Sequence, residues 1–197
     1  MNKKIIIPIF LIMVLAQIYI PAKMIFDKEN VIDQGNEFRF KTAPVDPTDP
    51  FRGKYIVLSF EANAIQVTNA DDWHQGDPIY VSLGKNDKGF AEILSVSKEK
   101  PLENENYVNA TIDFIMNDSL RNLTVRYPFD RFYMEESKAY DAEQAYMEST
   151  RDSMQVTYAL VSVKNGDAVV TDVIINGVSV KEAAKNRQEM QVNPDLN

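Results

Sequence analysis

Three charged side chains, Asp46, Asp49 and Arg52, recur at intervals of three in the stretch PVDPTDPFRGKY. Pro44, Pro47 and Pro50 share that interval, and each presses the residue before it toward extended geometry. Three residues per turn is the polyproline II repeat, so the aspartates and the arginine form one stripe and Val45, Thr48 and Phe51 another. Paired carboxylates can do acid–base chemistry only at a set separation with one pKa raised, and the sequence displays neither condition. The stretch is therefore read first as a rigid lead-in, second as a recognition surface, and last as a catalytic pair. A second constellation lies in YPFDRFYMEE, where Arg131 has Phe129, Phe132 and Tyr133 around it and Asp130, Glu135 and Glu136 within reach. A guanidinium amid aromatic rings can stack on them and hold a carboxylate by two parallel N–H bonds. The leading expectation is an internal network tying this segment to the Asp46/Asp49 stripe. The alternative is capture of an external carboxylate or peptide terminus.

Other groupings carry less chemistry. DDWHQGD holds the single tryptophan, Trp73, and the single histidine, His74, with Asp71, Asp72 and Asp77. One histidine cannot supply the usual multi-histidine zinc sphere, and the acids do not follow the 12-residue calcium loop, so a solvated loop is expected. A serine–lysine dyad from Lys54 and Ser59 fails on parity, because the two lie on opposite faces of one strand, and Lys138 next to Ser137 cannot face it on a helix. There is no Gly-x-Ser-x-Gly elbow, no phosphate-binding glycine loop and no cysteine. No catalytic residue, metal or cofactor is assigned. The candidate binding set is Asp46, Asp49, Arg52, Tyr55, Arg131, Tyr133 and Glu135.

Strands must position these groups. In KYIVLSFEA, Ile56, Leu58, Phe60 and Ala62 share one face and Tyr55, Val57, Ser59 and Glu61 the other. NYVNATIDFIM places Val108, Ala110, Ile112, Phe114 and Met116 together, LRNLTVRY places Leu123, Val125 and Tyr127 together, and the two segments read as a hairpin. Asn165-Gly166 and Asn176-Gly177 each sit between strand-like runs, which predicts a three-stranded meander whose middle strand, opening with Ala168, Val169 and Val170, is buried on both faces. EESKAYDAEQAYMEST has Ala139, Ala142, Ala145 and Tyr146 at helical spacing and predicts a helix of about three turns. The expected fold is mainly β (α+β): a single antiparallel β domain, sandwich- or barrel-like, with one short helix, preceded by a transmembrane helix.

That first helix is read from MNKKIIIPIFLIMVLAQIYIPAKMIF, a mostly apolar run of about 22 residues or roughly 33 Å of helix, enough to cross a bilayer core. The best signal-peptidase site, ending at Ala22, has Ile20 where a small residue is preferred and Lys23 directly after it, so an uncleaved signal-anchor is favoured over a cleaved signal. Residues 1–28 are the anchor, 29–183 an extracytoplasmic β domain and 184–197 a polar tail that starts as a helix. A formal net charge of -8 argues against a nucleic-acid partner, which needs clustered cations.

GKYIVLSF, Gly53 to Phe60, resembles the signature that names the GDYXXLXY proteins, a bacterial family of membrane-anchored proteins of uncharacterised function. Gly53, Tyr55 and Leu58 match it, whereas Lys54 replaces an aspartate and Phe60 a tyrosine. PVDPTDPFR is similar to the family's lead-in, YPFDRFYMEE to its second recurring segment, and NGDAVVTDVIINGVSV to its C-terminal hairpins. The resemblance implies membrane anchoring and carries no known reaction. The leading functional expectation is an anchored extracytoplasmic binding or assembly module with an envelope or membrane protein as partner, on the periplasmic side in a Gram-negative cell. The competing expectation is an anchored, hydrolase-like envelope enzyme using Asp46, Asp49 and Glu135 with Arg52 or Arg131, and a third is a structural accessory subunit.

Overall fold

The computed structural model describes residues 3–43, 55–68, 72–102, 106–116, 122–152 and 154–192. The chain begins with helix α1, Lys3–Gln34, whose 32 residues at 1.5 Å each give about 48 Å. Within Ile7–Gln34 the most apolar window has a mean hydropathy of 2.1 and is left uncovered by the rest of the chain, so this helix is long and apolar enough to cross a membrane. It ends at Gly35, whose N–H donates to the Val31 carbonyl at 2.9 Å. Strand β1, Asn36–Lys41, starts at the next residue.

β1 edges a four-stranded antiparallel sheet with β9 (Thr157–Lys164), β10 (Asp167–Ile175) and β11 (Val178–Ser179), in that order. The two expected Asn-Gly turns close the meander: φ is 51° and 92° at Asn165 and Gly166, and 50° and 85° at Asn176 and Gly177. β10 is half-buried rather than covered on both faces, and the last turns of α1 pack against part of it. There Val31 is buried, the Ser162 hydroxyl donates to the Val31 carbonyl at 2.6 Å, Lys164 Nζ donates to Gln34 at 2.7 Å, and Lys28 pairs with Asp167 at 2.9 Å.

A second, five-stranded sheet runs β3 (Ala64–Gln66), β7 (Asn122–Arg126), β6 (Tyr107–Ile115), β4 (Pro78–Lys85), β5 (Ala91–Ser97), every neighbour antiparallel. Bridges Arg39–Phe90 and Val108–Gly166 join it to the first sheet, and Thr42–Phe60 ties the end of β1 to the segment leading into β3, giving a nearly closed, barrel-like antiparallel domain. Its interior holds Phe40, Val81, Val108, Leu123, Val161 and Val173, with the rings of Phe60, Tyr127 and Phe129 gathered round Phe40 at 5.2, 5.4 and 5.2 Å. The β6–β7 hairpin forms as expected, and Val108, Ala110 and Ile112 are buried, but Phe114 and Met116 are 55% and 44% exposed. The register slips between Ile112 and Phe114, leaving Asp113 as a bulge, and one extra residue turns every later side chain to the opposite face.

A two-stranded ribbon, β2 (Tyr55–Val57) with β8 (Arg131–Tyr133), completes the described strands. Beyond Val57 the chain leaves β8 for the end of β1: Leu58 N–H bonds Asp130, then Ser59 accepts from Ala43, and Glu61 N–H bonds Lys41. Ile56, Leu58 and Phe60 stay buried along this path, as the alternation predicts, and Ala62 is half-buried. Helix α2, Glu136–Arg151, buries Ala139, Ala142 and Tyr146. The polar stretch near the C-terminus forms a further helix, α3, Val180–Val192, clasped to α2 by Arg187 on Glu148 (2.8 and 3.0 Å) and Gln188 on Asp141 (2.8 Å).

Candidate binding site

The register of the ribbon sets Tyr55 against Tyr133, Ile56 against Phe132 and Val57 against Arg131. Alternation sends Ile56 and Phe132 into the core, where both are buried. Tyr55, Val57, Arg131 and Tyr133 therefore share the outer face. On it the Tyr55 and Tyr133 rings lie 5.4 Å apart at 55°, and the Arg131 guanidinium sits 5.0 Å from the centre of the Tyr55 ring. Arg131 Nε is 3.6 Å from the Asp130 carboxylate, and Tyr133 is 63% exposed. A hydrogen bond with Tyr133, then the Asp130 charge, raises the Arg131 pKa further above its ordinary value, so the group is a permanent cation.

The rings expected round Arg131 are partly different ones. Phe129 and Phe132 belong to the core: alternation along β8 turns Phe132 inward, and Phe129, ahead of that strand, stacks on Tyr127 at 5.0 Å. Tyr55, brought across by β2, supplies the stacking surface instead. Nothing local in YPFDRFYMEE announces this partner, which is fixed by a long-range pairing.

Glu135 does not reach into this group. Its carboxylate accepts from Lys138 at 2.6 Å, and that ammonium, with help from Ser137, holds it below the usual carboxylate range. Asp46, Asp49 and Arg52 lie outside the described residues, as do Lys54 and Asp71. Ser59, the other half of the expected serine–lysine pair, accepts a backbone bond from Ala43 through its carbonyl.

The tryptophan–histidine segment is a knot of structural contacts. Asp77 takes Lys98 at 2.9 Å and lies 3.6 Å from His74 Nδ1, and Lys98 covers the Trp73 ring at 5.5 Å. The Lys98 hydrogen bond holds the Asp77 carboxyl below its ordinary range. Among the described residues no three histidine, aspartate or glutamate side chains gather as a metal would require.

The assembled chemistry is thus an exposed cation stacked on one phenol ring beside a second. A family model described as GDYXXLXY protein matches residues 17–173, most of the chain. Neither the curated proteins nor the solved structures contain a match to it.

Proposed function

The chain belongs to the GDYXXLXY family, and we propose that it is a membrane-anchored extracytoplasmic binding or assembly module that meets a protein partner through the outer face of the β2–β8 ribbon. The observation that carries this reading is the Tyr55–Arg131–Tyr133 group, in which Arg131 and Tyr133 are exposed and Tyr55 is half-buried. Tyrosine and arginine are the side chains that most often dominate binding energy at protein interfaces, since a stiff ring loses little entropy and a guanidinium offers both a planar face and a fork of donors. Here the buried Ile56 and Phe132 on the reverse face hold the backbone in place, so the outer group is presented from a fixed frame. The proposed binding set also includes Asp46, Asp49 and Arg52, which precede Tyr55 in the chain, and Glu135.

In this reading α1 is an uncleaved signal-anchor with its short N-terminal tail, carrying Lys3 and Lys4, in the cytoplasm. The unit from residue 29 to 183 stands outside, and the partner is an envelope or membrane protein. A carboxylate–arginine enzyme would need an acid kept protonated near neutrality, and Glu135 is held in the opposite direction by Lys138.

The test is a crosslinking pulldown of the full-length anchored protein, compared with an Arg131→Ala/Tyr133→Ala double variant and an Asp46→Ala/Asp49→Ala/Arg52→Ala triple variant. The double variant is expected to lose the partner while its circular dichroism and melting temperature stay close to the parent's. Retention of every crosslinked partner by both variants would sink the proposal.

A further inference from the structure

A cleft of about 500 Å³ opens where the start of β5 faces the segment leading into β3. Its volume is that of a small-ligand site, which commonly spans ~300–1,000 Å³. Ala62, Ala64, Phe90, Ala91 and Ile93 give it an apolar lining, and charged groups stand at its rim.

Both walls are fixed by hydrogen bonds. On one side the Asn86 side chain accepts from the backbone N–H of Lys88 and of Phe90 at 3.0 Å each, and the Phe90 ring leans edge-on to Tyr158 at 5.8 Å. On the other, the buried Tyr127 hydroxyl donates to the Ala62 carbonyl at 2.6 Å, and Glu61 N–H bonds Lys41 at 3.0 Å. The cleft is therefore preformed and pays little ordering entropy on binding.

Four ionic groups line it: Lys41, Glu61, Lys88 and Glu92. Lys41 and Glu61 neutralise each other at 2.7 Å. Among the described residues Lys88 and Glu92 have no ion-pair partner, which leaves one cation and one anion among the residues that line the cleft.

We propose that this cleft binds a short peptide of apolar residues, with its free carboxylate taken by Lys88 and its free ammonium by Glu92. Charge complementarity selects that occupant: a simple anion would answer Lys88 but meet Glu92, a simple cation the reverse, and a peptide with both termini free answers both. The site is separate from the β2–β8 ribbon and does not depend on it.

The probe is the tripeptide Ala-Leu-Ala, titrated into the full-length protein in detergent micelles and followed by amide chemical shifts and calorimetry. Saturable binding is expected, with shifts centred on Ala62, Ala64 and Ile93. Acetylating the N-terminus and amidating the C-terminus of the probe should weaken it about tenfold or more, and Lys88→Gln or Glu92→Gln should each weaken the free peptide by a similar factor. Ala64→Trp, which fills the cleft from an exposed position, should abolish binding with the melting temperature unchanged. Arg131→Ala/Tyr133→Ala should leave binding intact, which separates this site from the ribbon. Absence of saturable shifts, equal binding of the blocked tripeptide, or binding that survives Ala64→Trp overturns the proposal.

Discussion

Two buried tyrosines with the same chemistry play opposite parts in the core. Tyr127 donates its hydroxyl to the Ala62 carbonyl, whereas the Tyr146 hydroxyl lies beside Thr42 and the Ser59 backbone and completes a bond to neither. Removing one partner of a buried bond costs more than removing a group that has none. Tyr127→Phe should therefore lower stability by about 1–2 kcal/mol, and Tyr146→Phe should change it by less than about 0.5 kcal/mol, both read from urea unfolding midpoints. Burial raises both pKa values, that of Tyr146 to about 12 from an ordinary 10.0. Above pH 10 the unfolded chain gives up phenolic protons that the fold retains, so stability falls as pH climbs toward 12. Tyr146→Phe should flatten part of that fall, and an unchanged slope would show that the buried hydroxyl does not titrate as its surroundings imply. Arg131 is a contrasting case, since its contacts are exposed. Arg131→Met is expected to shift the melting temperature by no more than about 4 °C; a larger drop would favour the internal network over a recognition role.

Elements were legible in the sequence wherever their cause was local. The Asn165-Gly166 and Asn176-Gly177 turns declare their positive φ in two residues, and α2 declares itself in the spacing of its alanines. The outward turn of Phe114 and Met116 was not legible, because the bulge at Asp113 exists only in relation to β7. The Tyr55–Arg131 stack is hidden for the same reason: it is made by strand pairing between segments far apart in the chain. Gly35 also acquires its meaning from distant elements. A Cβ there would stand 2.3 Å from Ser162 Oγ and 2.4 Å from the Val31 carbonyl oxygen, one of them backbone that cannot yield. Gly35→Ala should cost about 1–3 kcal/mol and open the α1–β9 contact, visible as faster amide exchange at position 35. The α2–α3 clasp adds a pH dependence. The Arg187 guanidinium holds the Glu148 carboxyl below its ordinary 4.5, so the contribution of the pair is present above that pH and is lost as pH falls through the lowered folded value. Glu148 is largely exposed, so the effect is worth less than about 1 kcal/mol. Glu148→Gln should make the acid limb of the stability curve shallower, and a curve that superimposes on the parent's would remove the clasp from that account.

For the molecule as a whole, composition and pattern point to a cysteine-free, acidic β domain behind one long apolar helix. The proposed orientation has a direct measure: a phosphatase that matures only outside the cytoplasm, fused after Asn197, should be active in intact bacteria, and activity of a cytoplasm-dependent reporter instead would reverse the topology. The junction between α1 and β1 has a mechanical consequence. One glycine separates helix from strand, and Val31, Gln34 and Lys28 bind that helix end to β9 and β10. With α1 in a bilayer, the domain is no ball on a string; it spins about the helix axis and shares the helix tilt. Its search for the proposed partner would then be two-dimensional, at one elevation above the lipid, and a protein whose matching face stood at another height would not meet it. Bilayer thickness, by setting the tilt of α1, would then steer which way the ribbon looks.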